Sequence, residues 1–113
     1  MSILHADLHR WNVFFDRDEI SIIDFDDSAV GLAIQDIAIA IYYLDTAEED
    51  AALLKGYGSV APLPEYSERE MSALLLQRRL LLLNYLIGSS TQEHREMIPV
   101  YLEETMRRVS LFL

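Results

Sequence analysis

His5, Asp7, His9, Arg10 and Asn12 put five side chains able to handle protons, metals or phosphates into eight consecutive positions. Asp24-Phe25-Asp26 follows twelve residues after Asn12, so the order along the chain is H-x-D-x-x-x-x-N, an interval, then D-x-D. Phosphoryl transfer needs such a set. A loop carboxylate must face an acceptor hydroxyl and take its proton, while an amide oxygen and a second carboxylate hold Mg²⁺ against nucleotide phosphates.

The elements that must position these groups are legible in the pattern. Two short apolar runs, Asn12–Phe15 and Ile20–Phe25, flank the polar segment Asp16-Arg17-Asp18-Glu19, a β-hairpin signal. Asn12 enters the first strand and Asp24 leaves the second, so antiparallel pairing brings the two to one end of the ribbon. Helical spacing then takes over at Ile34, Ile37, Ile41 and Leu44. Thr46-x-x-Glu49 reads as a capping box opening a second helix that Gly56 and Gly58 should end. Ser67-x-x-Glu70 starts a long helix to about Ile87, with Gly88 as its stop; being apolar nearly all round, it is expected to be buried on several sides. Arg78 and Arg79 within it are expected to pair with acids across a helix contact. Ser90-x-x-Glu93 opens the last helical stretch, which Pro99 should kink or restart. The expected fold class is α+β and mostly α: a β-hairpin followed by about four helices.

Composition narrows the function. With 113 residues the chain forms one domain at most, and no cysteine means no disulfide framework, thiolate nucleophile or cysteine metal site. A cytoplasmic location is the default expectation. The greasiest segment, Leu74 to Ile87, is interrupted by Arg78, Arg79 and Asn84, so no membrane partner is expected. A net charge of −10 argues against a nucleic-acid partner. The whole imbalance lies in residues 1–50, with 12 acids against two arginines, whereas residues 51–113 carry seven of each sign. Such a cluster either surrounds a divalent cation or forms a solvated acidic face.

The order H-x-D-x-x-x-x-N followed by D-F-D is also that of the protein-kinase catalytic loop and metal motif, with Asp26 where the motif has Gly. "LHADLHRWNVFFD" and "ISIIDFDDSAVGLAIQDIAIAI" closely resemble the aminoglycoside phosphotransferase and choline kinase family, the small-molecule branch of the protein-kinase-like fold. The resemblance covers roughly residues 3–44. It implies an ATP- and Mg²⁺-dependent kinase acting on a small-molecule hydroxyl, with Asp7 as catalytic base and Asn12 and Asp24 as metal ligands. His5 would brace the loop, and Asp36, in the first turn of its helix, would anchor it. Ala6 stands where the family usually has Gly, and would be strained if that position needs a positive φ.

By the same resemblance, the chain carries only the C-terminal-lobe portion of such an enzyme. Residues 1–33 would form the catalytic loop, hairpin and metal motif, and residues 34–113 the helical subdomain. The small lobe that covers the nucleotide is expected to be missing, together with its phosphate-binding lysine. Lys55, the only lysine, follows the motif in a predicted helix and does not substitute for it. The isolated chain is therefore expected to be inactive, and its expected partner is either that missing lobe or further copies of itself in a homo-oligomer. The alternative is a non-catalytic, self-associating remnant. A third reading is a metal-dependent phosphatase, because a strand ending in Asp24-x-Asp26 also resembles the haloacid dehalogenase nucleophile motif; the helical sequence after Asp24 disfavours it.

Individual residues keep alternatives open. His5 is a brace or a ligand, and His9 a loop hydrogen-bonder or a substrate contact. Arg10 reaches a phosphate or neutralises a nearby carboxylate. Asp26 touches substrate or phosphate, supports a metal, or caps a turn, and Asp27 is the more natural cap.

Overall fold

The computed structural model describes residues 1–113 and forms two compact units, Met1–Ser67 and Glu68–Leu113. It is α+β and mostly helical, with four helices and two small sheets. No helix is long and apolar enough to cross a membrane.

In the first unit the expected hairpin forms from β2 (Val13–Asp16) and β3 (Glu19–Ile22), with Val13 opposite Ile22 and Asp16 opposite Glu19. The two-residue loop takes Arg17 to φ 56°. β3 ends at Ile22, short of the expected Phe25, because Asp24 turns to φ 62° and leaves the extended region. A second antiparallel pair escaped the sequence reading: β1 (Ser2–Leu4) with β4 (Ala29–Gly31), Ser2 opposite Gly31. A Cβ at Gly31 would lie 2.6 Å from both the Leu4 Cδ1 and the Gln35 Oε1, so a larger residue there would push both side-chain ends aside.

α1 (Ala33–Tyr42) buries Ile34, Ile37 and Ala38, which with Leu4 of β1 form the core of this unit. Its N-cap is Leu32, whose N–H donates to Gln35 Oε1 at 2.7 Å; Asp27 lies five residues earlier in the turn after β3. α2 (Ala47–Val60) opens on the expected capping box, with Glu49 N–H donating to Thr46 Oγ1 and Thr46 N–H to Glu49 Oε1, both at 3.1 Å. It runs through Gly56 and Gly58, contrary to expectation. A glycine costs a helix only about 1 kcal/mol, whereas Pro62 forces Ala61 into an extended conformation (φ −145°) and makes the stop.

The second unit is a pair of 21-residue helices, α3 (Glu68–Gly88) and α4 (Gln92–Phe112), joined by three residues. α4 begins after Thr91, one residue later than the expected cap, and continues unbroken past Pro99, which sits on its exposed side. α3 fully buries only Arg79, Leu83 and Leu86; Leu74, Leu75, Leu76 and Leu82 are half-buried and Leu80, Leu81 and Ile87 exposed, so the expected all-round burial does not occur within this chain. Arg79 also departs from expectation. Its guanidinium meets no carboxylate, donating instead to Thr105 Oγ1 at 2.9 Å and the Tyr101 carbonyl at 3.3 Å, and lies 3.9 Å over the Tyr101 ring. A hydroxyl, a carbonyl and a π-face replace the acid.

Candidate active site

The loop between β1 and β2 is held by side chains reaching its backbone from far along the chain. Asp36 accepts from His5 N–H at 3.0 Å through one carboxylate oxygen and from Ala6 N–H at 2.8 Å through the other. Its place in the first turn of α1 is where a negative charge is favoured by the helix dipole. Ala6 is thereby held at φ 68°, a left-handed conformation that costs an L-residue about 1–2 kcal/mol.

His5 is buried beneath the loop. Its Nδ1 accepts from Asp7 N–H at 3.2 Å, so the ring proton sits on Nε2 and is donated to the Ile23 carbonyl at 2.8 Å. The ring packs on Phe25 with 4.6 Å between centroids. One imidazole thus ties Asp7 to the residue preceding Asp24, and both of its nitrogens are spent on backbone.

A 3₁₀ turn, Arg10–Asn12, brings Asn12 back under Asp7. Asn12 is buried, and its Nδ2 donates to the Asp7 carbonyl at 2.8 Å, which leaves the amide oxygen as the end that accepts nothing from the protein. Ile23 N–H donates to the Asn12 carbonyl at 3.0 Å, extending the hairpin pairing by one step and setting Asp24 immediately beyond Asn12. Asp24 is exposed and leaves the ladder at its positive φ.

His9 caps the 3₁₀ turn by accepting from Trp11 N–H on Nδ1 at 3.3 Å, which leaves its proton on Nε2, 3.7 Å from Asp7 Oδ1. The 3.3 Å approach of Asn12 Nδ2 to that nitrogen is then a contact between two donors. Arg10 points to the corner between α1 and α2, donating to the Tyr43 carbonyl at 2.7 Å and to Asp45 at 3.1 Å. Asp26 is exposed in the turn after β3, where Ser28 N–H donates to the Phe25 carbonyl.

The structure therefore brings Asp7, Asn12, His5, His9 and Asp36 into one network with Asp24 at its edge, and leaves Arg10 and Asp26 outside it. Sequence reading missed Tyr43, whose ring packs at a tilt against His9 with 4.9 Å between centroids, and Asp45, which holds Arg10. Only their positions at the end of a helical run hinted at either. No group of three or more His, Asp or Glu side chains is gathered as a metal site. The donor set nevertheless suits Mg²⁺. That ion commonly takes one or two protein oxygens and fills the rest of its octahedron with phosphates and water. An anchored amide oxygen and an exposed carboxylate, at the open end of the β2–β3 hairpin, are hard donors of that kind.

A sequence profile of the phosphotransferase enzyme family matches residues 1–71, from β1 through the start of α3. The chain belongs to that family. It is also similar to the homoserine kinase of Agrobacterium fabrum (strain C58), 40% identical over an alignment of 85 residues, with 68% of this chain and 26% of that protein covered. The chain thus spans about a quarter of the length of this relative. No solved structure gives a significant match. The family match encloses every residue of the Asp7 network and stops where the second compact unit begins.

Proposed function

We propose that residues 1–67 are the catalytic-loop and metal-binding part of a small-molecule kinase of this family, with the fold of a kinase-like C-terminal lobe, and that it transfers the terminal phosphate of ATP to a substrate hydroxyl. The observation that carries this reading is the Asp7–Asn12–Asp24 arrangement. A loop carboxylate is fixed at its N–H by His5 and at its carbonyl by Asn12, beside an amide oxygen turned outward.

Asp7 accepts the proton of the acceptor hydroxyl as that oxygen attacks phosphorus. His9, its Nε2–H directed toward Asp7, orients the carboxylate. Asn12 Oδ1 and the Asp24 carboxylate would hold Mg²⁺, which when bound neutralises charge on the phosphate oxygens. His5 and Asp36 touch no reacting atom; they fix the backbone from which Asp7 projects. Asp26, exposed beside Asp24, is free to meet phosphate-bound metal or substrate.

Cations for the phosphates are scarce in this unit. Arg10 is committed to Asp45, Arg17 is at the hairpin turn, and Lys55 lies in α2. Phosphate-stabilising groups are each worth about 10³–10⁵ in rate, so these 113 residues alone are expected to be inactive and to need nucleotide-binding residues from elsewhere. The similarity to a homoserine kinase makes homoserine the first acceptor to assay. The test is a chimera in which the matched residues replace their counterparts in that enzyme. It should phosphorylate a hydroxyl substrate, with Asp7→Asn lowering kcat by about 10²–10⁴. A folded, ATP-binding chimera whose turnover is indifferent to Asp7→Asn would overturn the assignment.

A further inference from the structure

The second unit carries an apolar seam distinct from the face on which its two helices meet. On α3, Leu80 and Ile87 are 46% and 59% exposed, and with Gln77 and Asn84 they fall at spacings of three, four and three residues. On α4, Leu102 and Met106 are 40% and 63% exposed, and with Pro99 they repeat the spacing of three and four. This is the interval that keeps one helix face against another, with knobs at a and d positions.

At 100° per residue, Leu80 and Ile87 lie to one side of the buried Leu83, and Leu102 and Met106 to the corresponding side of the buried Thr105. In an antiparallel pair these two sides coincide, so both stripes open onto the same face. The Arg79 bonds to Thr105 and Tyr101 fix the register of the helices that present it.

We propose that this face docks against the same face of a second copy of the chain, giving a four-helix contact. Two features favour a copy as occupant. Charge permits it: Met1–Ser67 carries 13 acids against three bases, whereas Glu68–Leu113 carries six of each and is neutral. The seam positions hold no carboxylate, so two copies meeting there bring no like acidic charges together. Polar content fits as well. Gln77 and Asn84 are uncharged amides, both donor and acceptor, so the one nearest a two-fold axis can bond its own counterpart, and a single buried Asn in such a seam fixes register and oligomer state.

Sedimentation of the full 113-residue chain tests the proposal. A dimer is expected at tens of micromolar. Leu80→Glu combined with Leu102→Glu should weaken it at least tenfold with the helical circular dichroism retained. Leu111→Glu, on the opposite side of the pair, and Phe15→Glu, on β2, should leave it unchanged. If the double variant loses helix, Asn84→Asp supplies the same test at an exposed site, placing a carboxylate from each copy in the seam and again weakening the dimer at least tenfold. A monomer at these concentrations overturns the proposal. So does a dimer that survives Asn84→Asp, or one that Phe15→Glu disrupts instead.

Discussion

The two units of this chain are held by different forces. In Met1–Ser67 the decisive contacts are polar and long-range: Asp36 to the His5 and Ala6 N–H groups, and His5 to the Ile23 carbonyl. They fix a loop whose own conformation is unfavourable, with Ala6 and Asp24 both at positive φ. In Glu68–Leu113 two regular helices meet along an apolar face, and one buried Arg79 replaces water with a hydroxyl, a carbonyl and a ring. The first arrangement sacrifices local preference to place particular atoms; the second places a surface. Backbone strain of this kind clusters at functional sites.

The contrast breaks most readily at Asp36. Removing its carboxylate in Asp36→Ala strands the His5 and Ala6 N–H groups and should cost about 2–4 kcal/mol, read by denaturant unfolding, with amide exchange accelerated first at His5, Ala6 and Asn12. The corresponding change in the helical pair should be much milder. Arg79→Met keeps the volume and leaves Thr105 Oγ1 donating to the Tyr101 carbonyl at 2.6 Å, so its cost should stay within about 1 kcal/mol. If Arg79→Met proved the costlier of the two, the helices rather than the loop would be the region built on polar contacts.

Relief of strain sharpens the same point. Ala6→Gly removes the left-handed penalty at φ 68° but adds chain entropy to the unfolded state, for a net gain of up to about 1 kcal/mol in unfolding free energy. A loss would mean that the Ala6 methyl contributes packing that outweighs its backbone cost.

The smallest effect belongs to the surface of α4. Glu104 accepts from Arg107 and Arg108, and these hydrogen bonds push its carboxyl from 4.5 down to about 2, with Arg107 shifted upward in return. A depressed folded-state value stabilises above the unfolded value and is lost as pH falls, so this contribution is present at pH 5 and disappears between about pH 4.5 and 2. The pairs are solvent-exposed, so Glu104→Gln should shift Tm little at pH 7, and the difference between the two proteins should vanish at the acid end.

Legibility in the sequence follows the same division. The hairpin, the convergence of Asn12 and Asp24, the Thr46 cap and the long third helix were readable, because each rests on local pattern or on the family motif. The β1–β4 pair was not, since three-residue strands carry too little alternation. The stop of α2 lay in Pro62 rather than in the more conspicuous Gly56 and Gly58. Asp45, 35 residues from the Arg10 it holds, left no local signal. In α3 a run of leucines implied burial that two helices alone cannot supply, and Arg79 found partners that charge arithmetic did not suggest.

The central claim, that Asn12 and Asp24 form a divalent-cation site beside Asp7, is tested most directly by titrating the chain with Mn²⁺ as a paramagnetic stand-in for Mg²⁺ and following amide line broadening by NMR. The account predicts selective broadening of residues 5–12 and 23–27, abolished by Asn12→Ala together with Asp24→Asn. Broadening centred instead on Glu48, Glu49 and Asp50, or unchanged in the double variant, would contradict it.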